Sequence, residues 1–204
     1  DASIHVWDTV TRRAAKLGEV ETSMVYDLSF SPDSRRLVAS RGAAAQVWNA
    51  ESSAIVRTFE QHAGLVFQTM WSPHSDLIAT TASDGLRLWS SRTGEQTAEL
   101  TGISAAGWDP TEERLLANHP ESSGLAWFDV NGRQIGDPIQ SPGTFKRLEL
   151  NSRGNLVARY RPAHWTMEKH IVELPTGKVV AKIPTAFVIN AEWRPGTDHL
   201  ACGG

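Results

Sequence analysis

Only one cysteine, Cys202, occurs in 204 residues, so no disulfide can form within the chain and a disulfide-stapled fold is excluded. A lone thiol fits a reducing compartment, and a cytoplasmic location is the expectation that follows. No stretch approaches the roughly 18 consecutive apolar residues of a membrane span. Basic clusters are missing as well. The 20 Lys and Arg residues are scattered and the net charge is -3, which argues against a nucleic-acid footprint and against attachment to a membrane surface. The chain starts at Asp1, without Met and without the charged and apolar regions of an export signal, so a piece of a longer chain is expected.

Catalytic signatures are equally sparse. No Gly-x-Ser-x-Gly elbow occurs, and Cys202 stands at the end of a predicted strand, just before two glycines. Apart from that pair the glycines sit singly, mostly at turns, so no phosphate-binding loop is present. The histidines, His5, His62, His74, His119, His164, His170 and His199, lack a metal-ligand spacing. Acidic residues such as Glu112-Glu113 fall in turns, as solvated loop charges do. A chain with no enzyme activity, no metal and no cofactor is expected.

What is present is tryptophan, eight in all, within a composition that is 40% hydrophobic and sufficient for a sizeable core. The tryptophans fall into two interleaved series. One runs Val6-Trp7-Asp8, Val47-Trp48-Asn49, Leu88-Trp89-Ser90 and Trp127-Phe128-Asp129, with Glu173-Leu174-Pro175 as a degenerate fifth member. The other runs Phe30-Ser31-Pro32, Trp71-Ser72-Pro73, Trp108-Asp109-Pro110, Leu150-Asn151-Ser152 and Trp193-Arg194-Pro195. The shared period is about 40 residues, that of a four-stranded propeller blade.

Local chemistry agrees with that reading. Val25-Tyr26-Asp27-Leu28-Ser29-Phe30 has the alternation of a strand, and Ser31-Pro32-Asp33-Ser34 supplies a turn. Leu37-Val38-Ala39 restarts a strand and Ala45-Gln46-Val47-Trp48 gives the next. Thr93-Gly94-Glu95 and Thr176-Gly177-Lys178 turn into a fourth, outer strand. Strands at eight-to-twelve-residue intervals without helical periodicity predict an all-β fold.

These residues resemble WD40 repeats. The best match begins at His62 and continues through Trp71-Ser72-Pro73 and Ser83-Asp84-Gly85 to Leu88-Trp89. In the family pattern a His starts the repeat, an Asp sits in the turn before the third strand, and a Trp ends that strand. His62, Asp84 and Trp89 occupy those places, with Gln61 where Gly is usual. The resemblance implies a buried His-Asp-Ser/Thr-Trp network that locks the strands of a blade. Asp1 is the only other convincing turn aspartate, and Trp7 and Trp48 are the matching third-strand tryptophans. Trp7, Trp48, Trp71, Trp89, Trp108 and Trp193 are therefore expected in the core.

The expected architecture is a single WD40-type β-propeller over residues 1–204, about five four-stranded blades' worth of chain. Half a repeat at 1–20 is followed by whole repeats at 21–60, 61–100, 101–140 and 141–185, and by half a repeat at 186–204. Either the two halves complete one mixed blade and close a five-bladed ring, or the ends cut a larger propeller, and the fragment is the expectation.

Function follows from the resemblance. It implies a non-catalytic protein–protein interaction scaffold, or a sensory or recruitment module with protein or peptide partners. Such rings are appended in many signalling proteins to a kinase or nucleotide-hydrolysing domain outside the repeats. The alternative is a periplasmic TolB-like or peptidase-associated propeller, whose repeats share Trp-Ser-Pro-like turns but lack the Trp-Asp ending.

Two candidate partner surfaces are expected. WD40 propellers often bind partners around the central opening. Carried over residue by residue, its lining is Met24, Tyr26, Leu65, Phe67, Thr144, Lys146, Phe187 and Ile189, unless these are core. The second is Trp165, in an enlarged loop spanning residues 161–168 and flanked by Arg159, Tyr160 and Lys169. An aromatic beside arginine has the composition of an interaction hot spot. A Trp folded back over its own blade is the competing reading.

Overall fold

The computed structural model describes residues 3–19, 25–119, 121, 124–141, 147–163, 166–185, 190–194 and 196–203. Among these residues there are twenty strands and no helix. The first sheet pairs β1 (Ser3–Asp8) with β2 (Arg13–Glu19). A second sheet orders β3 (Leu28–Phe30), β4 (Arg36–Arg41), β5 (Ala44–Asn49) and β6 (Ile55–Phe59) from inner to outer edge. The third repeats that meander with β7 (Val66–Trp71), β8 (Leu77–Ala82), β9 (Gly85–Ser90) and β10 (Gln96–Leu100).

The fourth sheet holds β11 (Ala106–Trp108), β12 (Arg114–Asn118), β13 (Gly124–Asp129) and β14 (Gln134–Gln140). In the fifth stand β15 (Leu148–Leu150), β16 (Leu156–Ala163), β17 (Thr166–Glu173) and β18 (Val179–Thr185). The sixth pairs β19 (Asn190–Trp193) with β20 (Leu200–Gly203). The chain divides into two compact units, Asp1–Thr97 and Ala98–Gly204, with the boundary inside β10.

Buried polar residues build the turns. The residue after the inner strand of each four-stranded sheet, Ser31, Ser72, Asp109 or Asn151, is at most 3% exposed. Each gathers backbone N–H groups of its own turn. Ser31 Oγ accepts from Arg36 N, Ser72 Oγ from His74 N and Ser75 N, Asp109 Oδ1 from Thr111 N, and Asn151 Oδ1 from Asn155 N and Leu156 N. Each therefore satisfies donors that the reversal would otherwise strand out of water. The residue after the third-strand aromatic does the same for the next turn. Asp8 caps Val10 and Thr11, Asn49 caps Glu51 and Ser52, Ser90 caps Thr93, and Asp129 caps Asn131 and Arg133.

Core formation happens between sheets. In the N-terminal unit Trp48 packs with Ile4 and Leu17 of the first sheet, and Trp89 with Val38, Val47 and Phe59 of the second. The Phe59 and Trp89 rings stack at 4.9 Å. In the C-terminal unit Leu116, Leu125 and Ile139 of the fourth sheet meet Leu148, Val157 and Val172 of the fifth. Each large side chain so buried contributes about 1.5–3 kcal/mol.

Both tryptophans thus face the preceding sheet, and this corrects one expectation. Trp7 is 63% exposed rather than core, because the face of the first sheet that bears it is uncovered among the described residues.

A second correction concerns residues 161–168, expected as an enlarged loop. The β16–β17 ladder runs on through Arg161↔Glu168 to Ala163↔Thr166, so the segment is a prolonged hairpin. Its strands have eight residues each, against five or six for the middle strands of the second, third and fourth sheets. β15 reaches only Arg159, so Pro162 lies where one edge of β16 is unpaired, a place that tolerates a strand proline. Trp165 lies outside the described residues.

Candidate functional site

The polar cluster of the third sheet is a relay of four side chains. Trp89 Nε1–H donates to Thr80 Oγ1 at 2.8 Å, and the Thr80 hydroxyl donates to His62 Nε2 at 2.7 Å. His62 Nδ1–H then donates to Asp84 Oδ1 at 2.7 Å. This is the assignment that gives each donor along the relay an acceptor. Arg87 Nη1 lies 2.6 Å from His62 Nδ1, but in this tautomer both are donors, so its attraction is to Asp84 Oδ2. The same Asp84 oxygen accepts from Ala63 N at 2.9 Å, which fastens the loop leading into β7. Burial opposes ionisation of Asp84, yet the Ala63 amide, Arg87 and His62 together outweigh it and hold the carboxyl far below the usual carboxylate range.

A hydroxyl, an imidazole and a carboxylate in line also describe an activated nucleophile. Thr80 is completely buried and its oxygen already accepts from Trp89, so no substrate atom can approach it. The relay locks strands. Register explains why it occurs in this sheet: Trp48, Trp89 and Phe128 oppose Leu37, Ile78 and Leu115, and two residues further on stand Ala39, Thr80 and Ala117. Of these three positions, only Thr80 brings a hydroxyl.

The second and fourth sheets hold their inner loops by another device. Ser40 Oγ accepts from Tyr26 N at 2.7 Å and Asp27 N at 3.0 Å. Asn118 Oδ1 accepts from Ser104 N and Ala105 N at 2.9 and 2.8 Å. Sequence reasoning missed Thr80, Arg87, Ser40 and Asn118. A legible signal existed for two of them, since Ser40 and Asn118 are the polar residues that end the runs Leu37-Val38-Ala39 and Leu115-Leu116-Ala117.

Adjacent inner strands are tied across the gap between sheets. Asp27 Oδ2 accepts from Thr69 N at 2.9 Å, and Gly42 O accepts from Val66 N at 2.7 Å. Beside these ties Tyr26, Leu65 and Phe67 are 41%, 44% and 45% exposed. The Tyr26 and Phe67 rings meet edge to face, with centroids 5.8 Å apart and planes at 78°. The structure brings these three expected residues together. Met24, Thr144, Lys146, Phe187 and Ile189 lie outside the described residues, as does Asp1.

Leu28 and Phe30 are also exposed, for a different reason. Their counterparts in the third sheet, Thr69 and Trp71, are buried beneath the second sheet. The first sheet has only two strands among the described residues, leaving β3 without inner strands opposite it. Phe67 stays exposed although a four-stranded sheet lies beside it.

At the opposite end of the same strands a cleft of about 270 Å³ is lined by Pro32, Asp33, Trp71, His74 and Asp76. Its cation is already engaged: Arg36 lies 4.8 Å over the Trp71 ring and 3.1 Å from Asp76. Among the described residues no group of three or more His, Cys, Asp or Glu side chains is placed to hold a metal ion.

Four-stranded antiparallel meanders, stacked face to face with aromatics between them, are the blades of a β-propeller. The family model described as WD domain, G-beta repeat matches residues 16–49 and 53–90, and these two segments are WD40 repeats. The first match begins within the outer strand of the first sheet and the second just before that of the second sheet, and each ends with the third strand of the next sheet, from β2 to β5 and from β6 to β9. The sequence repeat is therefore offset by one strand from the sheet. Proteins of this family are typically non-enzymatic scaffolds, and their repeats generally mediate protein–protein interactions.

Proposed function

We propose that this chain is a recruitment module that docks a protein or peptide on the end of its N-terminal unit bearing Tyr26, Leu65 and Phe67. One observation carries the reading: the exposed edge-to-face pair of Tyr26 and Phe67 joins two blades and stands on a fixed backbone. Ser40 holds Tyr26 from behind, while Asp27 and Gly42 tie the two inner strands together. Aromatic groups ordered before binding lose little entropy when a partner covers them, which is how a few residues come to dominate an interface.

A photo-crosslinking amino acid at position 65 would capture the partner, which is then purified and titrated by calorimetry. Phe67→Ala should weaken binding by about 2 kcal/mol, roughly thirtyfold, as loss of an aromatic hot spot does. Ile135→Ala, exposed on the outer strand of the fourth sheet, should leave the affinity unchanged. Equal affinity for the native chain, Phe67→Ala and Tyr26→Ala would refute the proposed surface.

A further inference from the structure

The proposed docking surface contains a cation, Arg41, that no group among the described residues neutralises. Arg41 ends β4. Past Leu28↔Ala39, Ser40 N donates to Asp27 O at 3.0 Å and Ser40 Oγ accepts from Tyr26 N, which brings Tyr26 beside the end of β4 where Arg41 stands. On the other side Gly42 O accepts from Val66 N, which brings residues 65–67 beside the same turn. Arg41 therefore lies in the chain between the two residues that anchor the exposed patch.

The other arginines of this unit are either engaged or elsewhere. Arg36 and Arg92 pair with Asp76, and Arg87 with Asp84. Arg57 donates to the carbonyls of Val56 and Arg92. Arg12, Arg13 and Arg35 lie at the inter-strand turns of the opposite end. Arg41 makes no ion pair and no side-chain hydrogen bond among the described residues.

Nearby carboxylates among the described residues are committed or remote. Asp27 accepts from the Thr69 amide, and Asp84 is held by Arg87, Ala63 and His62. Glu60 follows β6, the outermost strand, so it begins the β6–β7 loop that Leu65 ends at the inner edge. A guanidinium presents a planar fork that fits a carboxylate with two parallel hydrogen bonds. An adjoining apolar surface makes that bond stronger when a partner excludes water.

We propose that the partner docks through a segment in which a carboxylate adjoins an apolar or aromatic side chain. The carboxylate sits on Arg41, and the apolar group sits on Tyr26, Leu65 and Phe67. This rests on the docking reading above and adds the chemistry of the partner.

The test pans a random twelve-residue peptide display library against the 204-residue chain and against its Arg41→Glu variant, with thermal unfolding checking that the variant is folded. Clones selected on the native chain should pair Asp or Glu with an apolar or aromatic residue several-fold above the library frequency. On Arg41→Glu that enrichment should vanish or turn to Lys and Arg. Clones that need Phe67 yet show no acidic enrichment, or keep it on Arg41→Glu, would overturn the acidic partner and leave the docking surface standing. No clones above an unrelated protein, or clones whose binding survives Phe67→Ala, would overturn both.

Discussion

Replacing Thr80 with valine changes the shape of the side chain little and removes the hydroxyl at the centre of the relay. Two buried groups then lose their partners at once: His62 Nε2, which accepted at 2.7 Å, and Trp89 Nε1, which donated at 2.8 Å. Leaving a buried polar group unsatisfied costs about 1–3 kcal/mol. The added methyl group recovers about 0.8 kcal/mol of burial, so the net loss should be about 1–5 kcal/mol. Urea denaturation followed by tryptophan fluorescence and by circular dichroism measures it.

The structure supplies a control in Thr69, which opposes Thr80 across the β7–β8 ladder and is 1% exposed. Its hydroxyl has no hydrogen-bond partner. Thr69→Val therefore removes an orphaned polar atom and should be neutral or stabilising by about 1 kcal/mol. Two threonines on facing strands, given the same substitution, should shift stability in opposite directions. Equal losses at both positions, or a loss under about 0.5 kcal/mol at Thr80, would show that the relay does not stabilise the third sheet.

Two further outcomes follow from single groups. Asp84 has a folded pKa far below its unfolded value, so its contribution is fully present above about pH 4 and is lost as pH falls below that. The stability gap between native protein and Asp84→Asn should keep its full width from pH 7 to about pH 4 and shrink progressively below that; a gap of constant width from pH 7 to about pH 2 would contradict the linkage. Gly177 has φ of +71° in the β17–β18 turn, and a Cβ there would overlap the Gln140 carbonyl oxygen. Gly177→Ala should cost about 2 kcal/mol or more in thermal unfolding, and an unchanged melting temperature would refute the contact.

The blades were legible in the sequence because two independent signals recur at one period: the third-strand aromatic and the residue that builds the turn after each inner strand. Ser31, Ser72, Asp109 and Asn151 differ in chemistry, yet each offers an acceptor to the same turn amides, so the position repeats while its identity drifts. His62, Asp84 and Trp89 were visible through the resemblance to the WD40 pattern, whereas Thr80 was hidden beside Thr81 until register set it on the face of Trp89. The exposure of Trp7 was not legible, since a third-strand tryptophan is buried by a sheet other than its own. Nor was the hairpin at residues 161–168, where Pro162 reads as loop chemistry and only the short reach of β15 makes room for it.

The one-strand offset between sequence repeat and sheet bears on how such a chain changes length. Excising residues 53–90 removes β6 through β9 and brings β10 directly after β5. The second sheet would then take the third sheet's outer strand as its own, and no broken edge would be left at the join. Inserting a copy of the same segment works in reverse. A gene that gains or loses whole repeats therefore yields a protein of intact blades at every step.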